Sequence, residues 1–202
     1  MEQLMKYSAL LDDGTQMLSV LREAGVEFAG LVHEIPAEGW SMPTPCPEWD
    51  VLALVVHTAS IIESLVPFAN GNDLPPPIEP DELGASQHTS ARIRIAVERG
   101  VAAWTPRSLR EVRSFPWGVT RGLRAVEFTT VEVVAHGWDL AQALGVPFEL
   151  ADDVIAATRA VTRTYLDAAT RAGLFDPPLD PGAGANGADA LAAVLGRRPF
   201  TS

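Results

Sequence analysis

Two side chains that could share a metal ion lie four residues apart in the stretch Val126–Gly145. Glu132 and His136 are separated by just over one helical turn, so on a helix both would leave the same face. A carboxylate oxygen and an imidazole nitrogen on one face can bind a divalent cation, provided that a third ligand comes from elsewhere. The best candidate is His57, because it lies in the apolar stretch VLALVVHTAS, where a polar ring needs a partner.

This ligand set leaves more than one interpretation open. Two histidines and one carboxylate are typical of catalytic zinc sites and of facial-triad iron sites, and imidazole also accepts nickel. Asp139 lies three residues after His136 on the same face, so it could accept a hydrogen bond from the imidazole or replace Glu132 as a ligand. Alternatively no metal binds, Glu132 and His136 form a buried hydrogen-bonded pair, and His57 is an unrelated core histidine.

The elements that must position these residues are helices. Hydrophobic residues recur at three- and four-residue spacing in four long stretches, namely residues 1–35, 51–69, 84–104 and 123–144. A further amphipathic stretch covers residues 151–172, and a short helix is expected over 188–195. Strand patterning is weak, apart from a hairpin-like excursion within 105–122. The sequence predicts an all-α four-helix bundle with an additional short C-terminal helix and proline-rich connecting loops.

Length and composition indicate a single domain. The chain has 202 residues, of which 47% are hydrophobic, enough for one sizeable core. We expect one helical-bundle domain over residues 1–202, with a core extending to about 172 and a docking tail over 173–202. An apolar bundle of this kind could also cover one helix face by forming a homodimer.

Charge and the remaining composition argue against some classes of binding partner and favour one cellular compartment. The net charge of −11 argues against nucleic acid and against anionic membrane surfaces. The first residues lack the pattern of a signal peptide, and no uninterrupted run of 18 apolar residues indicates a transmembrane helix. Cys46 is the single cysteine, so no intrachain disulfide can form, which suits the reducing cytoplasm.

Arginines cluster just before the helix that carries Glu132. They are Arg107, Arg110, Arg113, Arg121 and Arg124. A guanidinium group binds carboxylates and phosphates through a bidentate fork, which makes Arg121 and Arg124 candidates for binding a cofactor or a substrate carboxylate. Equally, these arginines could only balance neighbouring carboxylates in an acidic chain.

Three segments together resemble a known family. WSMPTPCPEWDVLALVVHTA, EVVAHGWDLAQALGVP and ADALAAVLGRRPF are similar to the metal-binding bundle of mycothiol-dependent maleylpyruvate isomerases and their short uncharacterised relatives. That group belongs to the DinB-like superfamily. The resemblance implies a DinB-like four-helix bundle with a divalent metal at one end, zinc first, with nickel or iron as alternatives. His57, Glu132 and His136 match the family's three ligands.

The same resemblance implies a function. A metal in this site would bind the sulfur of a low-molecular-weight thiol, mycothiol, and lower its pKa. We therefore expect a metalloenzyme that activates the thiol for transfer to, or isomerisation of, a small electrophilic substrate. The isomerases carry a second, C-terminal domain that residues 145–202 do not match, so isomerase activity itself stays open. The alternatives are a hydrolase or lyase that uses a metal-bound hydroxide, and a non-catalytic metal- or ligand-binding module.

Overall fold

The computed structural model describes residues 14–47, 49–116, 118–166 and 175–199, and it is predominantly helical. A two-stranded antiparallel sheet of β1 (Val112–Phe115) and β2 (Gly118–Arg121) is the one sheet within these ranges. Short 3₁₀ helices cover Gly39–Ser41 and Pro80–Glu82. The α-helices are α1 (Thr15–His33), α2 (Val51–Glu63), α3 (Leu65–Asn70), α4 (Ser86–Ala103), α5 (Pro106–Arg110), α6 (Gly122–Leu144), α7 (Asp152–Tyr165) and α8 (Gly187–Val194).

The four long helices close into a ring. α1 packs against α4 and α6, and α2 packs against the same two helices, so α1 and α2 lie diagonally across the bundle. Their apolar faces meet in a core that includes the fully buried Leu21, Phe28, Leu54, Ile62 and Leu140. This arrangement confirms the predicted all-α, DinB-like four-helix bundle.

The C-terminal helix is docked onto this bundle. α7 packs against α1 and α6, and α8 packs in turn against α6 and α7. The indole Nε1 of Trp138 in α6 donates a hydrogen bond of 2.8 Å to Oδ1 of Asp189 in α8. Because both partners are far apart in sequence, this bond ties the chain end to the helix that carries Glu132 and His136.

Local sequence signals explain two of the helix boundaries. Asp50 caps α2 by accepting a hydrogen bond from the backbone N–H of Ala53, and Gly145 ends α6 with a φ of +66°. The predicted single helix over 51–69 is instead divided at Ser64. Pro67 has no N–H to donate to the carbonyl of residue 63, so the helix is interrupted there.

The structure also gives the bounds of the other predicted helices where their residues are described. α1 begins at Thr15 and continues without a break through Gly25, where a Cβ atom would lie only 2.5 Å from Val97 of α4. The predicted helical residues 1–13 and 167–172 lie outside the described ranges. The excursion within 105–122 consists of α5 and the β1–β2 hairpin.

One helical stretch among the described residues is long and apolar enough to cross a membrane. Val51–Asn70 has a mean hydropathy of 1.8, although His57 and Glu63 interrupt its apolar residues. Core helices of soluble proteins pass the same test, so a single stretch of this kind is weak evidence for a membrane span. Here one face of the stretch packs into the bundle against α4 and α6.

We expect Gly122→Ala to lower the free energy of unfolding by roughly 2–4 kcal/mol, because cores accept no extra atom at a closed contact. A Cβ atom there would collide with the backbone oxygen of Ser108 and lie 2.6 Å from the Trp104 ring. Gly30→Ala is the matched control: its new Cβ meets nothing closer than 4.0 Å. Replacing that helical glycine should raise stability by about 0.5–1 kcal/mol. Urea denaturation compares the two, and equal stabilities would contradict this account of the α5–α6 junction.

Candidate metal centre

The three predicted ligand residues meet where α2 packs against α6. Nε2 of His57 and Nε2 of His136 each lie 3.4 Å from the same oxygen, Oε2 of Glu132. One ligand atom from each residue lies within 4.8 Å of the other two. Ligand atoms bound about 2.0–2.1 Å from a tetrahedral zinc ion are roughly 3.4 Å apart. The chemistry of the three donor atoms and two of their separations therefore suit a small divalent cation.

The site is closed toward the bundle and open toward the surface. The side chain of His136 is 5% exposed and that of Glu132 is 14% exposed, whereas that of His57 is 35% exposed. A small molecule can therefore approach from the side of His57. An accessible side is what distinguishes catalytic zinc sites, which keep one coordination position for water or substrate, from closed structural ones.

Electrostatics hold Glu132 ionised. Burial alone would raise the pKa of Glu132, but hydrogen bonds from His136 and His57 outweigh burial and lower its pKa to about 2. For His136 burial acts in the opposite direction and lowers the pKa, but hydrogen bonds to Asp139 and Glu132 outweigh it, so that the pKa of His136 is raised overall. The cluster thus attracts positive charge, and a cation would compete with a proton for the imidazole nitrogen.

Asp139 lies behind His136, on the side of the ring away from Glu132. Its Oδ2 accepts a hydrogen bond of 3.1 Å from Nδ1 of His136. When Nδ1 carries the proton, Nε2 keeps its lone pair for a metal. Of the two roles predicted for Asp139, the geometry favours the acceptor that orients His136 over a ligand in place of Glu132.

Arg197 completes this arrangement, and sequence reasoning missed it. Its Nε donates a hydrogen bond of 3.1 Å to the same Oδ2 of Asp139, and its side chain is only 13% exposed. Gly196, with a φ of +80°, ends α8 in a Schellman motif, in which the N–H groups of Gly196 and Arg197 bond to the carbonyls of Ala193 and Ala192. The LGRRP motif therefore supplies no ligand, but its turn directs Arg197 toward the site.

An aromatic ring covers both histidines. The Trp49 ring centroid lies 4.4 Å from that of His57 and 5.2 Å from that of His136. Thr44 shapes the proline-rich loop before it, since its Oγ1 donates to the carbonyl of Trp49 and accepts from the N–H of Cys46. Residues 44–47 (TPCP) thus have a structural role, because they hold the indole of Trp49 against the two imidazoles.

The structure does not bring the two candidate arginines into contact with the three ligand residues. Arg121 is an exposed residue at the end of β2. The Arg124 guanidinium carbon lies 3.1 Å from the centroid of the Tyr165 ring, and Nη1 lies 3.7 Å from Glu127. Arg107 and Arg113 both pair with Glu111. These pairs favour the alternative in which the arginines balance neighbouring carboxylates.

Glu127 makes the stability of the fold depend on pH. Burial raises its pKa from 4.5 to about 7, against the opposing effects of Arg124 and Tyr165. A carboxyl group whose pKa is higher in the folded than in the unfolded state stabilises the fold at pH values below its unfolded pKa. This contribution to the free energy of unfolding is lost as pH rises from the unfolded to the folded pKa. Between pH 4.5 and 7 the loss is at most about 3 kcal/mol.

We therefore expect Glu127→Gln to gain stability relative to the wild-type protein as pH rises from 5 to 8, because glutamine has no charge to bury. Thermal unfolding at several pH values measures this difference. Glu38→Gln, at an exposed position, is the control for losing one acidic side chain and should follow the wild type. A constant difference between Glu127→Gln and the wild type would contradict a raised pKa for Glu127.

Comparison with known proteins identifies the family to which this chain belongs. A family model described as the mycothiol maleylpyruvate isomerase N-terminal domain matches residues 21–141, a range that includes all three candidate ligands. Uncharacterised proteins from two strains of Mycobacterium tuberculosis are 32% identical to the chain over 138 residues. The alignment covers 66% of this chain and 72% of each relative. No solved structure matches the chain significantly.

Proposed function

This chain belongs to the mycothiol maleylpyruvate isomerase N-terminal domain family, and on that premise we propose that it is a metalloenzyme that activates a low-molecular-weight thiol. Mycothiol is the first candidate thiol, and a small electrophilic molecule is the second substrate. The observation that carries the proposal is the convergence of His57, Glu132 and His136, with two donor pairs 3.4 Å apart and an accessible side at His57.

Three donor atoms of this chain would hold the metal: Nε2 of His57, Oε2 of Glu132 and Nε2 of His136. Zinc is the first choice, with nickel or iron as alternatives, since all accept imidazole and carboxylate ligands. When bound, the divalent cation lowers the pKa of a coordinated thiol, so that the nucleophilic thiolate is present at neutral pH.

The surrounding side chains suit this task through charge and orientation. Two neutral imidazoles and one carboxylate would leave a bound divalent cation with one net positive charge, which would favour an anionic group such as a thiolate. Asp139 fixes the tautomer of His136, and Arg197 offsets the charge of Asp139. Trp49 shields one side of the histidines from water and leaves the approach at His57 open.

Thiol activation is the function that we propose for this chain, without isomerisation of maleylpyruvate. The family model describes an N-terminal domain, and it matches only residues 21–141 of this chain. We place the activity in the cytoplasm, where small thiols are kept reduced. The proposed partners are therefore the thiol and one small substrate.

Cobalt substitution tests thiol binding. We expect the cobalt-loaded protein to develop a thiolate-to-cobalt charge-transfer band when mycothiol is added, because sulfur would enter the open position. S-methyl mycothiol, which has no ionisable thiol, is the matched control and should give no such band. Bound cobalt whose spectrum is unchanged by mycothiol would contradict the proposal, and an equal response to glutathione would contradict mycothiol as the specific thiol.

A further inference from the structure

A groove of about 540 Å³ adjoins the site and follows the outer face of α2. His57 of the metal centre lines this groove, together with Trp49, which packs against the His57 ring. Apolar side chains on the face of α2 that turns away from the bundle form one wall, and the proline-rich segment 74–80 faces them. A volume of this size accommodates a small organic molecule, for which pockets typically measure about 300–1,000 Å³.

The groove is built into the fold. The backbone N–H of Ile78 donates a hydrogen bond of 3.0 Å to Oγ of Ser60, and the Ile78 side chain is buried. Ser60 in turn donates to the carbonyl of Val56, so the segment 74–80 is fastened to α2 in the middle of the groove. Three consecutive prolines, residues 75–77, stiffen this wall. A ligand would therefore meet a largely preformed surface.

The lining determines which ligands fit. Leu52, Ala53, Val56, Ile61 and Leu74 supply apolar surface, together with the prolines. Apart from His57, the ionisable group among the described lining residues is the carboxylate of Asp50, and neither lysine nor arginine lines the groove in the part of the chain that the structure describes. Away from the metal centre, a carboxylate of a substrate would thus lose water without gaining a cationic side chain, beside the like charge of Asp50.

We infer that this groove is the binding site of the second substrate, and that this substrate is an uncharged, predominantly apolar molecule. The inference rests on the proposed thiol activation, because it places the electrophilic end of the substrate at His57. It also distinguishes this chain from enzymes that act on dicarboxylates, because the groove offers no cationic side chain to pair with two carboxylates in the part of the chain that the structure describes. A neutral molecule with an aromatic or aliphatic body matches both walls.

N-phenyl-1-naphthylamine, a neutral apolar dye whose fluorescence rises when it leaves water, tests the groove. We expect saturable binding to the zinc-loaded protein. Ala53→Arg should weaken it at least about tenfold by placing a charge on the apolar wall. Ile95→Arg is the matched control, because Ile95 lies 58% exposed on α4 outside the groove, and it should leave binding unchanged. Pro76→Glu places a charge on the opposite wall without touching the core, so the test remains if Ala53→Arg fails to fold.

Three results would overturn the inference: unsaturable binding, equal weakening by Ala53→Arg and Ile95→Arg, or displacement of the dye from the metal-free protein by maleate, a dicarboxylate. Repeating the titration without metal separates this inference from the proposed function. Groove binding that is lost in Ala53→Arg, in a protein that retains no divalent cation, supports the groove and contradicts thiol activation. A mycothiol-dependent cobalt band with no dye binding in the groove supports thiol activation and contradicts the groove.

Discussion

Replacing His57 by alanine should remove stoichiometric zinc binding, with a loss of affinity greater than about 100-fold. Loss of a residue that only orients a ligand already costs 10–100-fold, and His57 is proposed to donate directly. Only Glu132 and His136, both on α6, would then remain to hold the ion. Because the His57 side chain is 35% exposed, its truncation leaves little buried space and should not unfold the bundle. Zinc content after dialysis and competition with a chelating dye measure the affinity.

His88→Ala is the matched control for this prediction. His88 is an exposed histidine on α4, so its loss removes one imidazole without touching the three donor atoms. We expect this variant to keep the full metal complement. A full complement in His57→Ala as well would show that the ligand set is wrong.

The second large effect concerns the buried pair behind His136. We expect Asp139→Ala to lower the free energy of unfolding by about 3–5 kcal/mol, because it leaves the Arg197 guanidinium largely buried without its carboxylate. Zinc affinity should also fall by about 10–100-fold, since His136 loses the acceptor that fixes its tautomer. Both groups bond to the same Oδ2 atom of Asp139.

The double variant Asp139→Ala/Arg197→Met distinguishes a positioning role from a purely structural one. Removing both charges should restore much of the stability, because no buried charge is left unpaired. Zinc affinity should stay low, because His136 still lacks its acceptor. Recovery of stability and zinc affinity together would show that the pair only stabilises the fold, so urea denaturation and zinc competition must be measured on the same samples.

The meeting of His57, Glu132 and His136 could be predicted in part from the sequence, because it depends on short-range geometry. The spacing of Glu132 and His136 brings them to one helical face, and the apolar surroundings of His57 indicate that its ring needs a partner. The bundle follows from the same periodicity. That α2 lies beside α6 depends on the packing of the whole bundle, and for that the resemblance to a known family was needed.

The pair of Asp139 and Arg197 was out of reach for a physical reason. The two residues are 58 positions apart, and their contact depends on the direction that the chain takes after Gly196. An arginine near a chain end gives no indication of its partner. The family match over residues 21–141 does not include it. The resemblance of the segment ADALAAVLGRRPF to the family indicates that residues 195–199 have a role, and the structure shows that this role is to place Arg197 against Asp139.

Charge type alone makes Arg121 and Arg124 candidates for binding a carboxylate, but charge type does not identify a partner. One signal was available: Arg124 and Glu127 are three residues apart, the spacing at which opposite charges pair on a helix. The groove along α2 could not be predicted, because it depends on the hydrogen bond between Ile78 and Ser60, which fastens a loop to a helix face.

X-ray absorption spectroscopy of the zinc-loaded protein, with and without mycothiol, tests the central claim most directly. We predict nitrogen and oxygen neighbours about 2.0–2.1 Å from zinc, with the multiple-scattering signature of two imidazoles, and a sulfur neighbour at about 2.3 Å after mycothiol is added. Zinc without imidazole ligands would contradict the metal centre formed by His57, Glu132 and His136. Imidazole-bound zinc that gains no sulfur at saturating mycothiol would contradict thiol activation.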